Sequence, residues 1–183
     1  MPSTSSNEPT VLTIGHSTRP LDEFLALLKE HGVTLLVDVR TVPGSRRNPQ
    51  FNRDDLARAL EKAGVRYAHA AGLGGLRRAR ADSPNAGWRN PAFRGFADYM
   101  QTDAFQEGIA SLIDAARKEC VAIMCAEALP WRCHRSLISD ALTVRGVRVE
   151  HIMGRRKTQP HRVTPWARVE GGRITYPPPL DAD

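Results

Sequence analysis

Short apolar runs alternate along this chain with stretches whose apolar residues recur three and four apart, the pattern of strands joined by amphipathic helices. Thr10-Val-Leu-Thr-Ile14 is a β-type run that stops at Gly15-His16-Ser17. Pro20 stands where a first helical residue belongs, Leu21, Phe24, Leu25 and Leu28 supply one buried face, and Gly32 ends the helix. Val33 to Val39 is nearly all apolar, as a strand covered on both faces should be, and it runs into Arg40. The pattern repeats with Asn52 as a helix cap, Leu56, Ala59, Leu60 and Ala63 as the stripe, and a third strand from Val65 to His69. Phe105, Ile109, Leu112, Ile113 and Ala116 mark another helix before the strand Val121 to Cys125. A last helix, about Cys133 to Arg145, precedes the strand Val147 to Met153. These elements predict an α/β fold, an open and mainly parallel sheet of about five strands with helices on both faces.

A length of 183 residues, 41% hydrophobic and 25% charged, suits a single domain. Residues 1–9 read as a disordered polar leader and 10–153 as the α/β domain. Residues 154–183 read as a basic tail packed on it, with a β-hairpin of Ala167–Glu170 and Arg173–Tyr176 around Gly171-Gly172. Ala71 to Gly95, rich in Gly, Arg, Asn and Pro, is too long for a simple connection and reads as functional or mobile. No stretch approaches the roughly 20 apolar residues of a membrane helix, and the start lacks signal-peptide regions, so a cytoplasmic protein without a membrane partner is expected. Three cysteines do not suggest a disulfide framework.

In open α/β sheets, ligands bind beyond the carboxyl ends of the strands. The chain places its reactive residues there. Apolar strands end in His16-Ser17, in Asp38 and Arg40, and in Cys125 and Glu127, so parallel strands would gather these groups along one edge. Each alone also has a plain structural role open to it: Asp38 as a loop brace, His16 as a satisfied histidine, Cys125 as a small core residue. Cys125-Ala-Glu-Ala-Leu-Pro-Trp-Arg-Cys133-His134-Arg135 is the densest constellation. A thiol at position 133, in the first turn of a helix and beside Arg132, His134 and Arg135, would be favoured as thiolate. Cys133 is thus a candidate nucleophile. The same residues, with Glu127 or His16, could instead hold a soft divalent metal, although the spacing matches no standard zinc signature. No Cys-x-x-Cys occurs, and Cys125 to Arg132 is longer than a Cys-x5-Arg phosphatase loop.

Thr13-Ile-Gly-His-Ser17, Leu36-Val-Asp-Val-Arg40 with Pro43, Ser45 and Arg46, then Phe51, Leu73-Gly74-Gly75, Gly95-Phe96-Ala-Asp-Tyr99-Met100 and the Cys125 to Arg135 block together resemble family 488 in the domain-of-unknown-function series. The likeness covers about residues 11 to 153, and the motifs in this order are specific. It implies a shared α/β fold and shared polar motifs, and no substrate.

Two function classes compete. In the enzyme reading, Cys133 is the nucleophile, Cys125, Glu127, His134, Asp38 and His16 complete the reaction centre, and Ser17, Arg40, Ser45, Arg46 and Arg135 hold an anionic substrate, a nucleotide or nucleic-acid component. In the binding reading, Arg77, Arg78 and Arg80 with Trp88, and Arg155, Arg156 and Lys157, contact nucleic acid. A metal or thiol sensor is the third alternative. The excess of 26 Lys+Arg over 20 Asp+Glu, a formal +6, favours an anionic partner, although codon bias towards arginine gives the same count.

Overall fold

The computed structural model describes residues 8–180, so most of the leader expected over 1–9 lies outside the described residues. Its elements are β1 (Thr10–Gly15), α1 (Leu21–Glu30), β2 (Leu35–Asp38), α2 (Arg53–Lys62), β3 (Arg66–His69), α3 (Pro91–Tyr99), α4 (Asp103–Lys118), β4 (Val121–Cys125), α5 (Arg135–Val144), β5 (Arg148–Gly154), β6 (Lys157–Pro160), β7 (Arg168–Glu170) and β8 (Arg173–Thr175). The first six strands in the sheet run in the order β3-β2-β4-β1-β5-β6. All neighbours are parallel except β6, which turns back antiparallel on β5. Strands β7 and β8 form the expected hairpin, and Gly171 and Gly172 take the positive φ (57° and 80°) that a tight hairpin turn requires.

Period-two alternation sorts the strand side chains onto two cores. Val11, Val37, Ile123 and Val149 face α3, α4 and α5, whereas Leu12, Leu36, Met124 and Ile152 face α1 and α2. The handedness of parallel crossovers explains this division. The chain steps one way across the sheet from β1 through β2 to β3, and the opposite way into β4 and on to β5, so the helices change face when the direction changes. The loop after β4 therefore leaves towards one face while those after its neighbours β1 and β2 leave towards the other. Two crevices open at the carboxyl edge, one on each side of β4.

Several elements depart from the sequence expectation. The sheet has six strands, because Lys157–Pro160 is an edge strand with every residue exposed and carries no apolar pattern to betray it. Helix α1 starts after Pro20, whose ψ of 146° keeps it outside, and its buried face is Phe24, Leu27 and Leu28. Asn52 precedes α2, but its Oδ1 accepts the Ser45 backbone N–H at 2.8 Å, so it braces a loop and does not cap the helix. The segment 71–95 carries the start of α3, capped by Asn90, whose Oδ1 accepts the Ala92 N–H at 2.8 Å. Helix α5 begins at Arg135, because Cys133 is extended (φ −131°, ψ 150°), so Cys133 lies just before the first turn. Among the described residues, no helix is long and apolar enough to cross a membrane.

Candidate functional site

The loop that follows β4 separates two adjoining clefts. The first, about 350 Å³, lies between the β2 and β4 loops and is lined by Arg40, Glu127, Arg132, Cys125, Cys133 and His134, with Phe93 and Leu76 across from them. The second, about 400 Å³, lies between the β1 and β4 loops and holds His16, Ser17, Ser45, Arg46, Arg47 and Arg132. Glu127 and Arg132 border both.

In the first cleft, Cys133 and His134 form a pair. The Cys133 Sγ is 3.5 Å from His134 Nδ1. On the other side of the ring, Nε2 lies 2.9 Å from the Val39 carbonyl and 3.0 Å from that of Leu73. Carbonyls only accept, so Nε2 carries the hydrogen and Nδ1 is left to exchange a proton with the thiol. Phe96 meets the imidazole edge-on at 5.0 Å between centroids, and Gly75 lies so close that a Cβ there would come within 2.6 Å of Nδ1. Sequence patterns expose none of these constraints, since they join four separate segments.

Cys133 also accepts the Arg135 backbone N–H at 3.4 Å, the first N–H of α5. Burial raises the thiol, but the Cys125 thiol, the His134 ring and the Arg135 charge outweigh it and hold Cys133 well below the usual cysteine range. Cys125 moves the other way: burial first, then the neighbouring Cys133, push it well above that range. Of the two thiols, Cys133 is thus the one favoured as thiolate and Cys125 the one favoured to keep its proton. The Arg135 side chain is buried, donating to Thr13 Oγ1 at 3.0 Å and to the Glu127 carbonyl at 2.7 Å. Among the described residues it has no carboxylate partner, and its Nε has no hydrogen-bond partner. Its charge is among the influences that favour ionisation of the Cys133 thiol.

Asp38 stands apart. It is in register with Met124, one residue before Cys125, so the Asp38 and Cys125 side chains leave the sheet on opposite faces. Fully buried, Asp38 takes Arg40 Nε at 2.9 Å and Nη2 at 2.8 Å, and Tyr67 donates its hydroxyl at 2.6 Å. Arg40 also donates to the Phe51 carbonyl at 2.8 Å and touches His16 Nε2 at 3.4 Å, so its charge is already neutralised. Sequence reading missed Tyr67, which is visible only through the β2–β3 pairing.

His16 stacks on Phe51 at 4.4 Å and has its Nδ1 2.9 Å from the Ser17 carbonyl. Burial lowers its pKa. Ser17 has a positive φ of 47°, and its N–H is fixed by the Ala126 carbonyl. A Cβ on Gly15 would fall 1.8 Å from the Glu127 carbonyl, so the β1 and β4 loops approach this closely only because residue 15 is glycine. Ser45 Oγ accepts the Asn48 N–H at 3.0 Å and presents the exposed Arg46 and Arg47 to the second cleft.

The arginine-rich segments do not enter either cleft. Arg77 lies 3.7 Å above the Tyr99 ring, Arg80 pairs with Asp82, and Trp88 is packed among Phe93, Trp166 and Tyr176. Arg78 and Lys157 are exposed, and Arg155 and Arg156 meet Glu30. Among the described residues, no three His, Cys, Asp or Glu side chains converge as metal ligands.

The family described as Domain of unknown function DUF488 matches residues 20–142. The chain belongs to this family. The DUF488 match contains Asp38, Arg40, Cys125, Cys133 and His134, while His16, Ser17 and everything from β5 onward fall outside it. No curated protein and no solved structure matches the chain.

Proposed function

We propose that the protein is an enzyme in which Cys133 acts as a nucleophile on an anionic, phosphate-bearing substrate. The observation that carries this reading is the Cys133–His134 pair, with the ring tautomer set by two carbonyls and the thiolate favoured by Arg135 and the start of α5. The reacting group occupies the first cleft, against Phe93 and Leu76, and the phosphate reaches Arg46, Arg47 and Arg132 in the second. His134 Nδ1 delivers a proton to the leaving group. Asp38, through Arg40, braces the end of β2 against Phe51 and His16, and Asp38, Arg40 and Arg135 are positioning residues. Cys125 keeps its proton and hydrogen-bonding capacity beside the thiolate.

The test is turnover of a panel of phosphate-bearing metabolites, followed by mass spectrometry. Cys133→Ser abolishes turnover and Arg46→Ala raises KM more than it lowers kcat. Turnover that survives in Cys133→Ser overturns the nucleophile assignment, and turnover confined to uncharged compounds overturns the substrate class.

A further inference from the structure

The three tryptophans of the chain, Trp88, Trp131 and Trp166, come from separate connecting segments and line one cavity of about 310 Å³. The rings of His151 and His161 and three prolines close much of the rest, so eight of the twelve lining residues present ring faces. Trp131 and Trp166 are 54% and 39% exposed, an unfavourable display of large apolar surface unless something covers it. Trp88 Nε1 is buried without a hydrogen-bond partner, although a buried indole N–H ordinarily finds one.

The histidines cannot supply that partner. His151 Nδ1 is engaged by Thr13 Oγ1 at 2.6 Å and its Nε2 by His161 Nδ1 at 2.9 Å, and His161 Nε2 meets Asp140 Oδ1 at 2.7 Å. Their nitrogens are all used, leaving flat faces. No Asp or Glu lines the cavity, the buried Asp140 carboxylate behind it is taken up by His161, Thr164 and Tyr176, and the exposed Arg162 is the charged group that lines it.

We propose that this cavity binds a planar aromatic heterocycle carrying a negative charge, the chemistry of a purine nucleotide. The ring system stacks on the indole of Trp131 or Trp166, the two exposed tryptophans, and the phosphate lies at Arg162. The volume falls in the range of small-molecule pockets, about 300–1,000 Å³. The cavity shares no lining residue with the thiol cleft, and the stacked pair of Trp88 and Phe93, 5.0 Å apart, separates them. Most of its walls come from residues beyond the DUF488 match. The proposal does not rest on the catalytic reading.

Tryptophan fluorescence, titrated with AMP and with adenosine, tests it. AMP quenches saturably and binds more tightly than adenosine, equally in the wild type and in Cys133→Ser. Trp166→Ala weakens AMP about tenfold or more, the scale of one lost base stack. Arg162→Ala weakens AMP and leaves adenosine unchanged. Because Arg162 is exposed, that variant carries the test even where Trp166→Ala fails to fold. The absence of a saturable response at millimolar AMP, a response indifferent to Arg162→Ala, or binding of a polyproline peptide in preference to AMP overturns the proposal.

Discussion

The Sγ of Cys133 stands 3.5 Å from Nδ1 of His134, the residue that follows it in the chain. Adjacent side chains diverge along a regular strand and do not face each other on a helix. The contact exists because Cys133 is extended while His134 already has the φ and ψ of the helix (−58°, −10°). His134→Gln removes the proton acceptor, and the apparent pKa of Cys133 should then rise by about one unit or more, which moves the pH midpoint of its alkylation upwards by the same amount. The rate at high pH, where the thiol ionises unaided, should be restored.

Gly75 tests the same pair without touching either member. In Gly75→Ala the new methyl group must displace a ring locked by Val39, Leu73 and Phe96. The variant should keep its far-ultraviolet circular dichroism and lose most of the Cys133 reactivity at neutral pH. Wild-type reactivity in that variant would show that the ring position is unimportant.

Asp38 should matter for stability more than for thiol reactivity. Asp38→Ala leaves the buried Arg40 guanidinium without its paired carboxylate and frees the Tyr67 hydroxyl, a loss of about 3–5 kcal/mol by denaturant unfolding. A loss below 1 kcal/mol would mean that Arg40 re-pairs elsewhere.

The strand ends were legible in the sequence and their facing was not. Apolar runs that stop at His16, Asp38 and Cys125 correctly locate the carboxyl edge, because burial on both faces leaves a strong signal. Which cleft a side chain enters depends on register, and a one-residue offset sends Asp38 and Cys125 to opposite faces. Strand β6 escaped because edge residues are exposed; α3 carries the helical spacing at Phe93, Phe96, Ala97 and Met100, but Pro91, Gly95 and the surrounding Gly, Asn and Arg give the segment the composition of a loop. The carbonyls that orient His134 belong to residues 61 and 95 positions away, beyond any local pattern.

His151 gives the fold an acid limit. Burial first, and then the nearby His161 and Arg135, lower its pKa from 6.5 to about 3. Between these values the unfolded chain binds a proton that the folded one refuses, so stability falls as pH drops through this window and is level above it. His16, also lowered by burial, acts in the same sense. The slope from His151 alone approaches about 1.4 kcal/mol per pH unit. His151→Gln should flatten the pH profile of Tm between pH 6.5 and 3, and an unchanged profile would assign the acid sensitivity to other groups.

The thiolate at position 133 is the central claim, and iodoacetamide labelling of the native protein across pH, with each cysteine followed by peptide mass spectrometry, tests it most directly. Cys133 should react first, with an apparent pKa well below the free-cysteine value of about 8.5, while Cys125 and Cys120 remain unlabelled near neutral pH. Labelling of Cys133 that appears only on unfolding, or that follows the same pH curve as Cys120, would contradict it.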